Sequence, residues 1–434
     1  MSRQFTPERL HDLTRPIEEK ALEALRAGDL DTVKKLLPKM ARGHEGLDAL
    51  GLHAIARKVG KLRVDLGEEK ARAALEKIGG ELMRTWVAQF RAGDMKGAVA
   101  DLISMFRVQT GAVVEPVADD AEAFVVDLAP CGSGGRLERQ GATRKYPEAY
   151  ANWSDGVSSF CQLCKASQRA LNAELGREAW TTEKGEDGRC RLRFAKTAGD
   201  PAELFSAAEK AELPLTRCAK AEQKLAAGDT DIAALLDGQR FEWMPWHDVF
   251  VCLLEYFYAT ALDIGGPEYL SEMLRDTYEG AFTIGFPHYA AMSDEALVTE
   301  IARTWNYHCA TIKVHEEDDR FVVTLDPCGS GGRLLRGEMW RDMFHYGKTP
   351  LARVIKDPHP INFTRENAPA YCTHCAASNR AQFKGGPLFF VVDGHAQMKP
   401  GMPCRQYSYK KATAREAIDP ALPRQVGMER AEPL

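Results

Sequence analysis

The octapeptide Pro-Cys-Gly-Ser-Gly-Gly-Arg-Leu occurs twice in this chain, at Pro130–Leu137 and again at Pro327–Leu334. An exact repeat followed by further matches in the same order predicts two copies of one structural unit. Downstream, Phe160-Cys-Gln-Leu-Cys-Lys-Ala-Ser-Gln-Arg-Ala170 matches Tyr371-Cys-Thr-His-Cys-Ala-Ala-Ser-Asn-Arg-Ala381, and Gly188-Arg-Cys190 matches Met402-Pro-Cys404. Upstream, each octapeptide follows an apolar run, an acidic turn (Asp119-Asp120, or Glu316 to Asp319) and a Phe-Val-Val run, the pattern of a β-hairpin.

Long amphipathic stretches precede both hairpins. Ala-Gly-Asp at 27–29, 92–94 and 227–229 punctuates them, glycine suiting the left-handed residue past a helix end and aspartate the next cap. The expected fold is α+β: a tandem duplication of a helical segment followed by a hairpin and a cysteine-ligated unit. The first copy spans 15–198 and the second 203–412, with a seam at Thr197–Pro201.

What the cysteines mean depends on the compartment. The N-terminus is too charged for a signal peptide, and the most apolar run, Phe250–Leu262, contains Glu255 and is too short to span a bilayer. The expected location is cytoplasmic, with no membrane association. A net charge of −5 with mixed signs argues against nucleic acid as a partner. In a reducing compartment the 11 cysteines are metal ligands, reactive thiols or buried hydrophobes rather than disulfides.

Each copy presents cysteines in the order Cys…Cys-x-x-Cys…Cys: Cys131, Cys161, Cys164 and Cys190, then Cys328, Cys372, Cys375 and Cys404. A Cys-x-x-Cys turn delivers two thiolates to a tetrahedral zinc, and a Cys-Gly step lets backbone amides approach a third. The reading is therefore two Zn²⁺ sites, with thiols that hold no metal or an iron–sulfur cluster as the alternatives. Cys190 and Cys404 begin strand-like runs and read either as fourth ligands or as ordinary buried thiols. Four cysteines make a closed structural site, three an open one. Cys218, Cys252 and Cys309 have no counterpart between copies and are expected in the core.

The glycines after the Pro-Cys step have two readings. They either wrap the metal or form an anion nest in which Gly331, Gly332 and Arg333 (Arg136 in the first copy) receive substrate. No Lys-Ser/Thr follows them, so this is not a phosphate loop, and no helix of a βαβ unit is expected next.

The Pro-Cys-Gly-Ser-Gly stretch resembles the zinc-binding tail of the preprotein translocase ATPase. That tail carries a further Cys two residues earlier and a Cys-Cys or Cys-His pair soon after, both missing here. The likeness covers five residues and implies metal binding only. The longer pattern, Leu325-Asp-Pro-Cys-Gly-Ser-Gly-Gly-Arg333 followed by Cys372-Thr-His-Cys375, is similar to bacterial proteins of unassigned activity, from which no function transfers.

The second copy is richer in reactive groups. In the helix expected over 246–263, His247, Val251, Leu254 and Tyr258 share a face, with Asp248 and Glu255 near a second line. His53 holds the corresponding place in the first copy. The longer loop between Cys328 and Cys372 carries Trp340, Arg341, His345, Tyr346, His359 and Asn362, and His374 sits inside the Cys-x-x-Cys turn. Two functions follow. The first is a metal-dependent hydrolase or lyase acting on a small anionic organic substrate, with catalytic His247, Glu255 and His345 and substrate-binding Arg333, Gly331, Gly332 and His374. The second is a non-catalytic zinc-stapled binding or scaffold protein. A deep polar cavity in the second copy favours the enzyme, an apolar surface the binding protein. Oligomeric state is left open.

Overall fold

A computed structural model describes residues 3–395 and 403–432. Met402 and the rest of 396–402, part of the expected second copy, lie outside the described residues. The chain is α+β: helices carry two four-stranded antiparallel sheets and one two-stranded ribbon.

The first sheet contains β1 (Val114–Asp119), β2 (Ala123–Leu128), β3 (Trp180–Lys184) and β4 (Cys190–Ala195), in the order β1-β2-β4-β3. The second contains β5 (Ile312–Glu316), β6 (Arg320–Leu325), β9 (Val391–Asp393) and β10 (Cys404–Tyr409), in the order β5-β6-β10-β9; β7 (Val354–Ile355) and β8 (Ala368–Pro369) form the ribbon. Period-two alternation explains the central strands. Phe124, Val126 and Leu128 of β2 are buried, as are Phe321, Val323 and Leu325 of β6. Registers also correspond: Leu128 pairs with Cys190, and Leu325 with Cys404. The peptide bonds before Pro130 and Pro327 are both cis.

At the first two Ala-Gly-Asp sites the helix signals act as expected. Gly28 and Gly93 have φ of +76°, and Asp29 and Asp94 cap the next helices through the amides of Thr32 and Gly97. The third differs: Asp229 accepts from Asp231 N at 2.9 Å and closes a turn instead. A six-residue helix also follows each glycine run, Gly134–Arg139 and Gly331–Arg336, where none was expected.

The chain divides into two compact units, one of residues 51–253 with 340–343, the other of 1–50, 254–339 and 344–434. These boundaries depart from the expected spans 15–198 and 203–412, and a pair of buried carboxylates supplies the reason. In the first unit Asp119, ending β1, accepts from Lys196 Nζ and from the amides of Leu204 and Phe205, while Phe205 packs on Phe124. In the other unit Glu316, ending β5, is paired with Lys410 and accepts from the amides of Gln4 and Phe5, while Phe5 lies against Phe321. Ser206 and Thr6, the next residues, each cap a helix. The front end of the chain thus folds with the second sheet, and the segment after β4 folds with the first. Burial pushes both carboxyls up, but the lysine and the two amides outweigh it and hold each below its ordinary value.

Phe5→Ala is expected to cost about 1–2 kcal/mol, with loss of amide protection concentrated in β5, β6 and β10. Unchanged protection in those strands would contradict the tether.

The helix expected over 246–263 runs from Met244 to Leu274 and breaks at Gly265 and Gly266, where Gly-Gly-Pro cannot continue the ladder. Residues up to Leu253 belong to the first unit and those from Leu254 to the other. The surrounding helical stretch, 239–291, is long and apolar enough to cross a membrane by length and composition, more than the sequence reading allowed; 72% of its apolar window is buried within the protein.

Candidate functional site

Strand pairing and one tight loop assemble each cysteine set. In the first unit, Cys190 stands opposite Leu128, three residues before Cys131, whose amide donates to Gly188 O at 2.9 Å. Cys161 and Cys164 enter from the first turns of the helix Ser159–Leu175, which passes beside the glycine run. A Cβ on Gly134 would stand 2.4 Å from Cys161 Sγ, and one on Gly135 would stand 2.2 Å from Gly188 O. In the other unit Cys404 stands opposite Leu325, three residues before Cys328, and Cys372 and Cys375 open the helix that runs to Phe383. There a Cβ on Gly331 would lie 3.4 Å from Cys372 Sγ, and one on Gly329 only 1.5 Å from His308 O. Gly134, Gly135 and Gly329 are therefore glycine because neighbouring segments pass directly over them.

The thiols sense one another. Cys131 is lowered to about 6, first through its hydrogen bond with Cys190, and Cys190 is raised by the same bond. Burial and then the neighbouring thiols push Cys161 up to about 11 and Cys164 to about 12. Burial pushes Cys372 up to about 12, and burial with the other thiols of the set raises Cys375 and Cys404 well above the ordinary value. Polar groups that the sequence reading did not single out sit at the sulfurs: Ser133 Oγ is 3.3 Å from Cys131 Sγ, Ser330 Oγ is 3.5 Å from Cys328 Sγ, and Gln168 Nε2 is 3.5 Å from Cys164 Sγ. Among the described residues no group of three or more His, Cys, Asp or Glu side chains is closed into metal-coordinating geometry.

The residues expected to receive substrate are engaged in the loop itself. Arg333 is buried, and its guanidinium donates to the carbonyls of Gly329 and Glu338. His374 is buried too; its Nδ1 donates to Tyr371 O at 2.5 Å, leaving Nε2 3.5 Å from Cys375 Sγ.

The three expected catalytic residues are in three different environments. His247, in the first unit, is buried with Nδ1 at 2.8 Å from Asp248 Oδ1, and Asp248 Oδ2 accepts from Trp340 N at 2.7 Å. Its counterpart His53 bonds Tyr150 Oη at 2.6 Å, and burial, then Arg57 and Arg136, lower it to about 4. Glu255, in the other unit, is fully buried. Its Oε1 accepts from Arg353 N at 2.9 Å, while Oε2 and the neighbouring Tyr346 hydroxyl lack well-formed hydrogen bonds. Burial pushes this carboxyl up to about 8, against the lowering effect of Arg353, Tyr346 and Tyr371. His345 is exposed, its Nδ1 2.6 Å from Tyr346 O. Cys218 and Cys252 are buried as expected, whereas Cys309 is only partly buried.

Compared with protein-family models, with curated proteins and with solved structures, the chain matches none.

Proposed function

We propose that this chain is a zinc-stapled binding protein built from two copies of one unit, each copy closing a structural Zn²⁺ site with four cysteines. The observation that carries the reading is strand register: Cys190 and Cys404 each lie opposite the leucine three residues before the Pro-Cys cysteine, so a protein thiol is at hand for the fourth position. Four thiolates around zinc leave no coordination position for substrate. The thiols fit such an ion chemically. Burial opposes ionisation of Cys161, Cys164, Cys372, Cys375 and Cys404, and a divalent cation supplies the charge that would hold them as thiolates. Ser133, Ser330 and Gln168 stand where hydrogen bonds to ligating sulfurs would come from. The matching sheet orders and paired registers support the reading of two copies.

The expected outcome of elemental analysis on reductant-protected protein is two zinc ions per chain, with one lost in Cys190→Ser and one in Cys404→Ser. Protein without bound metal overturns the staple reading. Two ions retained in Cys404→Ser point instead to an open three-cysteine site.

One observation favours the enzyme reading. Glu255 is a buried carboxyl pushed up to about 8 with the Tyr346 hydroxyl beside it, as a general acid would be. His345 is exposed, and Glu255 Oε1 is bonded to the backbone of Arg353. Turnover of a small anionic ester or hydroxy acid that is lost in Glu255→Gln, with metal content unchanged, would establish it.

A further inference from the structure

The unit of residues 51–253 contains a cavity of about 80 Å³ that adjoins the first thiol set, Ser133 and Cys164 being among its lining residues. Its walls come from the helices Glu68–Arg91, Met95–Arg107 and Ser159–Leu175, from β3, and from the first turns of the helix beginning at Met244. Leu82, Leu102, Phe160, Leu163 and Trp246 make it overwhelmingly apolar, and no Asp, Glu, Lys, Arg or His lines it. Ser133, Ser167 and Cys164 in the wall have hydrogen-bond partners nearby, but three other lining residues do not. The indole N–H groups of Trp86 and Trp180 and both amide atoms of Gln109 are buried without a hydrogen-bond partner, and these side chains are only 1%, 3% and 3% exposed. Leaving such groups unpaired costs about 1–3 kcal/mol each. A core selected only for packing would carry Phe and Leu at these places.

We propose that this cavity is a binding site for a small, uncharged carbonyl compound, a ketone or primary amide of about five non-hydrogen atoms. The chemistry follows from the wall. Indole N–H only donates and a carboxamide both donates and accepts, so the set calls for a ligand rich in acceptors. The lining offers no cationic side chain and includes Cys164, so an anion would be buried uncompensated. The volume is about half that of an engineered apolar cavity that admits benzene, which sets the size. The aromatic and leucine walls take the alkyl part. The proposal rests on reading the chain as a binding protein and names its ligand class.

The test is a titration of the metal-loaded full chain with propionamide, read by NMR at the indole N–H resonances of Trp86 and Trp180, assigned from Trp86→Phe and Trp180→Phe. The expected result is saturable, roughly millimolar binding that shifts both resonances. Propionate, which has the same shape but carries a charge, should bind at least about tenfold more weakly, and Gln109→Leu should weaken propionamide by about tenfold. If Gln109→Leu does not fold, Trp180→Phe serves as the weakened variant. No saturable shift overturns the proposal and leaves only ordered water as the occupant. Equal binding of propionate, or affinity indifferent to both variants, overturns it as well. Zinc content measured on the same samples separates the failures: two ions without propionamide binding sink the pocket alone, and propionamide binding without metal sinks the staple alone.

Discussion

Gly329→Ala is expected to destabilise the unit holding the second sheet by about 3 kcal/mol or more. A Cβ there would stand 1.5 Å from His308 O and 2.7 Å from Ala310 N, both backbone atoms. No side chain can rotate away to make room. The opposing turn is itself held, with His308 N bonded to Thr304 O at 2.8 Å and Ala310 N to Trp305 O at 3.1 Å. Accommodation therefore means parting the Pro-Cys loop from the end of the helix Asp294–Tyr307, which also displaces Cys328. Gly199→Ala is the control, since nothing lies within 4 Å of the added methyl. Chemical denaturation of both variants checks this; a Gly329→Ala protein as stable as Gly199→Ala would show that the loops do not make this contact.

Glu255→Gln is expected to stabilise the protein at pH 8 by about 3 kcal/mol and to flatten its pH dependence. The carboxyl's value rises from 4.5 in the free chain to about 8 when buried. Between those values the folded state holds a proton that the unfolded state has released, so stability falls as pH rises. The contribution is fully present below pH 4.5 and is lost by about pH 8, a change of about 4 kcal/mol across the window. Glutamine keeps an acceptor for Arg353 N and offers an N–H₂ group towards Tyr346, without an ionisable proton. Urea unfolding at pH 5 and pH 8 for both proteins gives the comparison. A variant with the wild-type slope, or a Glu255 carboxyl seen by NMR to titrate below pH 6, would refute the assignment.

The sequence by itself determined what is local and periodic. The acidic turns followed by Phe-Val-Val runs specified the hairpins, whose second strands are Ala123–Leu128 and Arg320–Leu325. Ala-Gly-Asp marked three helix ends, and its aspartate capped the next helix at two of them, because cap chemistry acts within a few residues. The cysteine order identified the candidate ligands, and the octapeptide pointed to wrapping by glycine.

Only the tertiary structure decided which segments belong together. Asp119 and Glu316 each bind two amides of a distant segment, and nothing in a charged residue's neighbours announces such partners. Helical periodicity placed His247 on one face of a helix and Asp248 with Glu255 near a second line. That helix passes from one compact unit to the other between Leu253 and Leu254, so residues a turn or two apart serve different cores. Nothing in the sequence singles out Trp86, Gln109 and Trp180, since a hydrogen bond left unmade inside a folded wall has no one-dimensional signature. Local spacing is written in the chain, whereas the partner of a buried polar atom is fixed only when distant segments close around it.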